Sequence, residues 1–182
     1  MEKITMKTED LKVLKSICST DDQRLALQSI NITADHVEST DGHMLFRIKR
    51  GDTVQVPNNV TGPHKIVAIN KIGGGISEAI IEKTDLEYPD TSRVMPARGN
   101  SADDKLISIN KDKREPMNHS AAVIKLYVHT GNAYSAHLIA RLAPLNGIWA
   151  CSKAAHDAPV RMDYTCGSEE YTAVITPFQL NK

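Results

Sequence analysis

The feature that most constrains this chain is a period of two. Val160, Met162, Tyr164 and Cys166 alternate with Arg161, Asp163 and Thr165; Gly167-Ser168 turns the chain, and Tyr171, Ala173 and Ile175 alternate back. Met44, Phe46 and Ile48 alternate with His43, Arg47 and Lys49 directly after Asp41-Gly42, a strong short-range signal for a tight hairpin turn. Successive side chains of a strand point to opposite faces, so these stretches predict antiparallel sheets with one face buried and one wet.

Other segments extend the pattern. Leu25 and Leu27, then Ile30, Ile32 and Ala34 after a one-residue slip at Gln28-Ser29, predict a strand interrupted by a bulge, and Val54 and Val56 a short further piece. Apolar stretches at 66–69 and 76–81 are split by Gly73-Gly74-Gly75, which reads as a hairpin tip because no Gly-Lys-Ser/Thr follows to make it a phosphate loop. Residues 106–109 and 121–128 also read as strands. Two segments have helical spacing instead. Thr8 caps Glu9 and Asp10, and Leu11, Leu14, Ile17 and Cys18 follow on one face with Lys12, Lys15 and Ser19 largely opposite, predicting a helix over 9–19. A second starts at Ser135, runs through 137–142 and stops at Pro144 and Gly147. The polar stretch 97–104 is the best linker candidate, so the expected organisation is one unit over 1–96 and another over 97–182. Each is α+β, with short amphipathic helices on one face of antiparallel sheets.

Composition narrows the function. Lys plus Arg number 22 and Asp plus Glu 22, so no overall basic field marks a nucleic-acid binder, and any DNA contact must come from local patterning. Cys18, Cys151 and Cys166 are odd in number and lack Cys-x-x-Cys spacing, which argues against a disulfide framework and a structural zinc site and fits a reducing cytoplasm. No signal peptide and no membrane span is read in the sequence, so the three Asn-x-Ser/Thr matches are idle. The seven histidines show no metal-ligand spacing, and no cofactor is expected. Asp41 and His43 flank a turn glycine with no serine or cysteine nucleophile placed beside them, which reads as a turn aspartate and a strand histidine rather than an acid–base pair. Trp149 reads as core rather than as a base-stacking platform.

Three separated segments carry a family resemblance. Thr40-Asp41-Gly42-His43-Met44-Leu45 resembles the Thr-Asp-Gly-His-Arg-Leu signature in the middle domain of the bacterial replicative sliding clamp, the beta subunit of DNA polymerase III. Tyr88-Pro89-Asp90 through Pro96 is similar to the Phe-Pro-Asp-Tyr-Arg-Arg-Val-Leu-Pro segment linking that family's middle and last domains. Val174-Ile175-Thr176-Pro177-Phe178-Gln179-Leu180 resembles its C-terminal Val-Val-Met-Pro-Met-Arg-Leu. On this resemblance 1–96 corresponds to the middle domain and 97–182 to a shortened last domain, with nothing corresponding to the first, as in a compact clamp-like protein of the kind a phage could encode.

The resemblance implies a DNA-clamp-like fold and a non-enzymatic homo-oligomeric ring on duplex DNA, independent of sequence, with helices lining the hole. It also implies a hydrophobic cleft that tethers a DNA polymerase or other replication protein by a linear motif. Carried over, the cleft comprises Thr40, Gly42, His43, Met44 and Leu45, then Pro89, Arg93 and Val94, then Val174, Thr176, Pro177, Phe178 and Leu180, with Leu14 as its floor. The DNA-facing residues would be Lys12 and Lys15 on the first helix and His137 and Arg141 on the second. Met44 and Gln179 stand where the family has Arg, Thr176 where it has Met, and Ser92 where it has the first linker Arg, so partner preference should differ. The alternative expectation is an adaptor or decoy that keeps the cleft but makes no ring on DNA.

Overall fold

Leu11, Val13, Leu14 and Ile17 bury one stripe of helix α1 (Thr8–Ile17), while Lys12, Lys15 and Ser16 stay in solvent. Glu9 and Asp10 in the first turn and Lys15 in the last complement the helix dipole. The computed structural model describes residues 1–98, 101–110 and 117–178 and forms two compact units, residues 1–90 with 165–171, and 91–164 with 172–182.

In the first unit β1 (Glu2–Lys7) runs straight into α1. Lys7, in an extended conformation, is the residue before the helix. The expected Thr8 cap is not made: Thr8 is already helical, and its hydroxyl shares a 2.7 Å hydrogen bond with Ser77. The remaining strands are β2 (Ile30–Ile32), β3 (His36–Thr40), β4 (Met44–Lys49), β5 (Gly62–Gly73) and β6 (Ile76–Lys83). They form an antiparallel sheet in the order β1-β6-β5-β2-β3-β4, and α1 packs on β1 and on β3 through β6. Ile4, Met6, Ile30, Ile32, Phe46, Ile48 and Ile81 join the α1 stripe in a core closed to solvent. Each such fully buried apolar side chain contributes roughly 1.5–3 kcal/mol to the core. The glycine triplet is the β5–β6 tip, where positive φ at Gly73, Gly74 and Gly75 turns the chain. Strand β5 has twelve residues and β2 only three, so β2 covers β5 only at residues 62–64.

Two strand expectations fail here. Residues 25–28 form a 3-10 turn, because local bonds hold them: Leu27 N–H donates to Arg24 O, Ser19 N–H to Leu27 O, and the Asp21 carboxylate accepts from Gln23 N–H. The Val54/Val56 piece makes only an isolated pairing, Gln55 with Thr5.

The second unit contains β7 (Lys105–Ile109), α2 (Met117–Thr130), α3 (Ala136–Ala140), β8 (Gly147–Cys151), and most of β9 (Val160–Cys166) and β10 (Glu169–Ile175). These strands are antiparallel in the order β10-β9-β8-β7. The stretch 121–128 lies in a helix rather than the expected strand. Ala122 and Leu126, one helical turn apart, are buried; α2 packs on β7 and α3, and Gly131 at positive φ ends it, donating to Tyr127 O at 2.8 Å. The helix after Ser135 forms as predicted but is short, and the hydroxyl of Ser135 makes no capping bond. Trp149 is fully buried, as expected of core, with the Tyr164 ring 5.3 Å away. The ten strands and three short helices among the described residues make this an α+β fold.

Candidate clamp-like segments

In the first unit, the 40–45 corner is built by its own side chains. Asp41 Oδ1 accepts from the backbone N–H of His43 and of Met44, both at 2.8 Å. The Thr40 hydroxyl donates to Met44 O at 2.8 Å and accepts from Gly42 N–H at 3.1 Å. Gly42 has φ +90°, which an L side chain rarely adopts. The Asp41 carboxylate is thus engaged by the turn, the structural role the sequence favoured over catalysis. Arg24 clasps the corner from outside, its Nη1 donating to Asp41 O at 3.2 Å; nothing in the sequence pointed to it. Leu14, Met44 and Leu45 are buried and Thr40 nearly so, while Gly42 and His43 are exposed, so the accessible atoms of this corner come from its tip.

Glu38 is buried in β3 and accepts from Asn31 Nδ2 (2.9 Å) and from Arg47 Nε and Nη2 (3.0 and 2.8 Å), with His36 Nε2 at 3.3 Å. Burial raises its pKa, but hydrogen bonds from His36, Asn31 and Arg47 outweigh that and hold it at about 2. Tyr88 packs its phenol against the backbone of Thr40 near Glu38, and burial pushes that phenol far above its ordinary range. The first resemblance segment and the start of the second therefore meet in the first unit, with Pro89 exposed beside Tyr88. Tyr88 stood in the quoted motif without a role; its size and polar tip were the signal that it would dock.

The other residues belong to the second unit. Thr91–Val94 form a 3-10 turn, with Arg93 exposed and Val94 53% exposed, and Arg161 Nη1 donates to Pro96 O at 3.3 Å. Val174 is buried in β10, Thr176 and Pro177 are half-buried, and Phe178 is 59% exposed with its N–H donating to Ala133 O at 2.8 Å. Leu180 and Gln179 lie outside the described residues.

Of the proposed DNA-facing groups, Lys12 and Lys15 are exposed on α1, and His137 and half-buried Arg141 share one face at the end of α3, Arg141 Nη2 being 3.5 Å from His137 Nε2. The three cysteines are free, and no group of three or more metal-ligating side chains occurs among the described residues. No described helix is long and apolar enough to cross a membrane.

No protein-family model matches the sequence, and no curated protein matches it either. Solved structures do. The DNA polymerase sliding clamp of Pseudomonas aeruginosa matches 98% of this chain and 66% of its own, with a TM-score of 0.58 at 12% identity. The beta subunit of DNA polymerase III from Thermotoga maritima matches 100% and 66% at TM-score 0.55 and 12% identity. The H. pylori beta clamp, solved with diflunisal, matches 99% and 67% at TM-score 0.58 and 9% identity. The fold is that of the bacterial sliding clamps. This clamp fold is shared at identities that carry architecture alone, and the chain spans 65–67% of the length of the clamp chains it matches.

Proposed function

We propose that the chain is a DNA sliding clamp or polymerase processivity factor, a non-enzymatic homo-oligomeric ring around duplex DNA that tethers partners by their linear motifs. The observation that carries this reading is the likeness to bacterial clamps over nearly the whole chain, joined to three clamp-type segments in the family's order. On this reading 1–96 acts as the middle-type domain and 97–182 as the shortened last-type domain.

The cleft is proposed to receive an extended peptide with a few apolar anchors; Val94 and Phe178 are exposed apolar side chains, and Gly42, His43, Pro89 and Arg93 are exposed as well. Of the other residues assigned to it, Thr40, Met44, Leu45 and Leu14 are buried in the first unit and Val174 in the second, Thr176 and Pro177 are half-buried, and the resemblance adds Leu180. Lys12, Lys15, His137 and Arg141 are proposed to meet phosphates without reading bases, a weak contact compatible with movement along the duplex. The absence of net charge supports sliding over tight binding. Such a protein works in the cytoplasm, and a phage is proposed as its source.

The test is topological. The protein, loaded on nicked circular DNA and washed at moderate salt, should stay on the closed circle and leave once the circle is cut. Equal retention on both would overturn the ring, and no retention with peptide binding intact would select the adaptor.

A further inference from the structure

Arg161 and Asp163 are two residues apart on β9, so their side chains share one face of the strand. They bond to each other there. Arg161 Nε donates to both carboxylate oxygens of Asp163, at 2.9 and 3.2 Å, and the Thr172 hydroxyl on the neighbouring β10 donates to Asp163 Oδ1 at 2.7 Å. The two side chains are only 20% and 15% exposed, so the pair is less screened than one on the open surface. With Nε engaged on the carboxylate, the planar guanidinium holds its remaining N–H groups in a fixed direction. One of them meets the carbonyl oxygen of Pro96, with Nη1 at 3.3 Å.

Pro96 ends a short connector that belongs to the second unit. Thr91, at its start, is buried; Thr91–Val94 form the 3-10 turn, and Met95 N–H donates to Ser92 O at 3.4 Å. The proline that follows disfavours helical backbone at Met95, which stops the turn at Val94. Proline has no N–H, so the carbonyl is the one main-chain polar group by which Pro96 can be held. Val94, 53% exposed, thus stands between two anchorages, the buried Thr91 on one side and the bonded Pro96 on the other. Arg98 adds a looser hold beyond, its Nε 3.9 Å from Asp163 Oδ2 and its side chain 60% exposed.

We propose that Arg161, oriented by Asp163, is a positioning residue for peptide recognition: it tethers the connector at Pro96 and so holds the apolar side chain of Val94 in place before a partner arrives. This rests on the proposed cleft, of which Val94 is an exposed apolar member, and adds to it two residues of another element that act through the backbone. An anchor already held in its binding position loses less freedom on association than a loose one, so the tether strengthens binding without any new contact. In the sequence Arg161 and Asp163 read only as the wet face of a strand, because the carbonyl they serve lies some sixty residues upstream.

The test joins methyl relaxation NMR on the full chain to titration with a synthetic extended peptide carrying leucine and phenylalanine anchors. In the wild-type chain the Val94 methyl groups should be nearly as ordered as those of buried Val160, and clearly more ordered than those of Val128, 78% exposed on α2. Arg161→Gln and Asp163→Asn should each loosen Val94 and weaken peptide binding about three- to tenfold, the span of one hydrogen bond, while the amides of β9 and β10 keep their protection from exchange. A pair that merely stabilised the sheet would instead lose protection along both strands. Val94 as loose as Val128 in the wild-type chain, or unchanged in Arg161→Gln, overturns the tether. Val94 loosened with peptide affinity intact overturns its role in recognition. A peptide that fails to bind the wild-type chain removes the cleft itself, and methyl order, read without peptide, tells that failure from a failure of the tether. If neither variant folds, the wild-type comparison of Val94 with Val160 and Val128 decides.

Discussion

Glu38 stays ionised in β3 because donors from β2, β3 and β4 converge on it. Its carboxyl falls from an ordinary 4.5 to about 2, so its contribution to stability is present above about pH 4.5 and is lost as pH falls through about 2. The size of that contribution is of the order of 3 kcal/mol. Glu38→Gln should therefore be markedly less stable than wild type at pH 7, with the gap closing towards pH 2. Urea titrations of both chains across that range measure it, and a gap that does not narrow in acid would refute the account. Gly147 offers a second case. A Cβ there would lie 2.7 Å from the Tyr164 ring, which packs against Trp149. Gly147→Ala should cost about 1–3 kcal/mol and change the fluorescence of Trp149, the chain's sole tryptophan. Unaltered emission and melting would show that the ring yields freely.

Legibility differed from element to element. The hairpins after Asp41-Gly42 and around Gly167 were readable because period-two patterning and turn chemistry agree there, and α1 was readable because its stripe is clean. Residues 121–128 were misread because Val123, Ile124 and Val128 are β-branched, while the helix is fixed by packing on β7 and α3 that no local pattern encodes. Ile124, Tyr127 and Val128 stay exposed, so the helix does not show the apolar stripe that would have announced it. Strand β1 escaped notice although Ile4 and Met6 alternate, because a single pair of apolar positions is a thin signal. At the candidate cleft the motif residues were legible, but their exposure was not. Met44 and Leu45, neighbours on a strand and so on opposite faces of the sheet, are both buried, which takes tertiary packing on both faces that the motif does not encode. The apolar area offered to a peptide in the second unit thus falls to Val94 and Phe178. Replacing both with Ala should weaken binding of a clamp-type peptide by more than about 1 kcal/mol in calorimetry, as truncated anchors do. Undiminished affinity with the fold intact would take the cleft away from these residues.

For the whole molecule, the proposed ring sets a stoichiometry. A six-unit ring needs three chains if each supplies two domain-like units, and six if each supplies one. Sedimentation equilibrium should therefore return three or six times the 20.0 kDa of the chain. A strict monomer at high concentration would weigh heavily against encirclement. The same measurement at rising salt separates assembly held by charge from assembly held by apolar contact, because only the former weakens with ionic strength.

The mismatch between β5 and β2 bears on the same experiment. Beyond residue 64 one flank of β5 has no strand beside it among the described residues, and Val67 and Ile72 are exposed along it. An uncovered ladder of peptide groups invites indiscriminate stacking of molecules, and the exposed Lys65 and Lys71 are the kind of residue that keeps such a ladder from propagating. Shielding those ammonium groups removes the guard, so the chain's shelf life in concentrated salt is governed by a strand edge to which no task is assigned above.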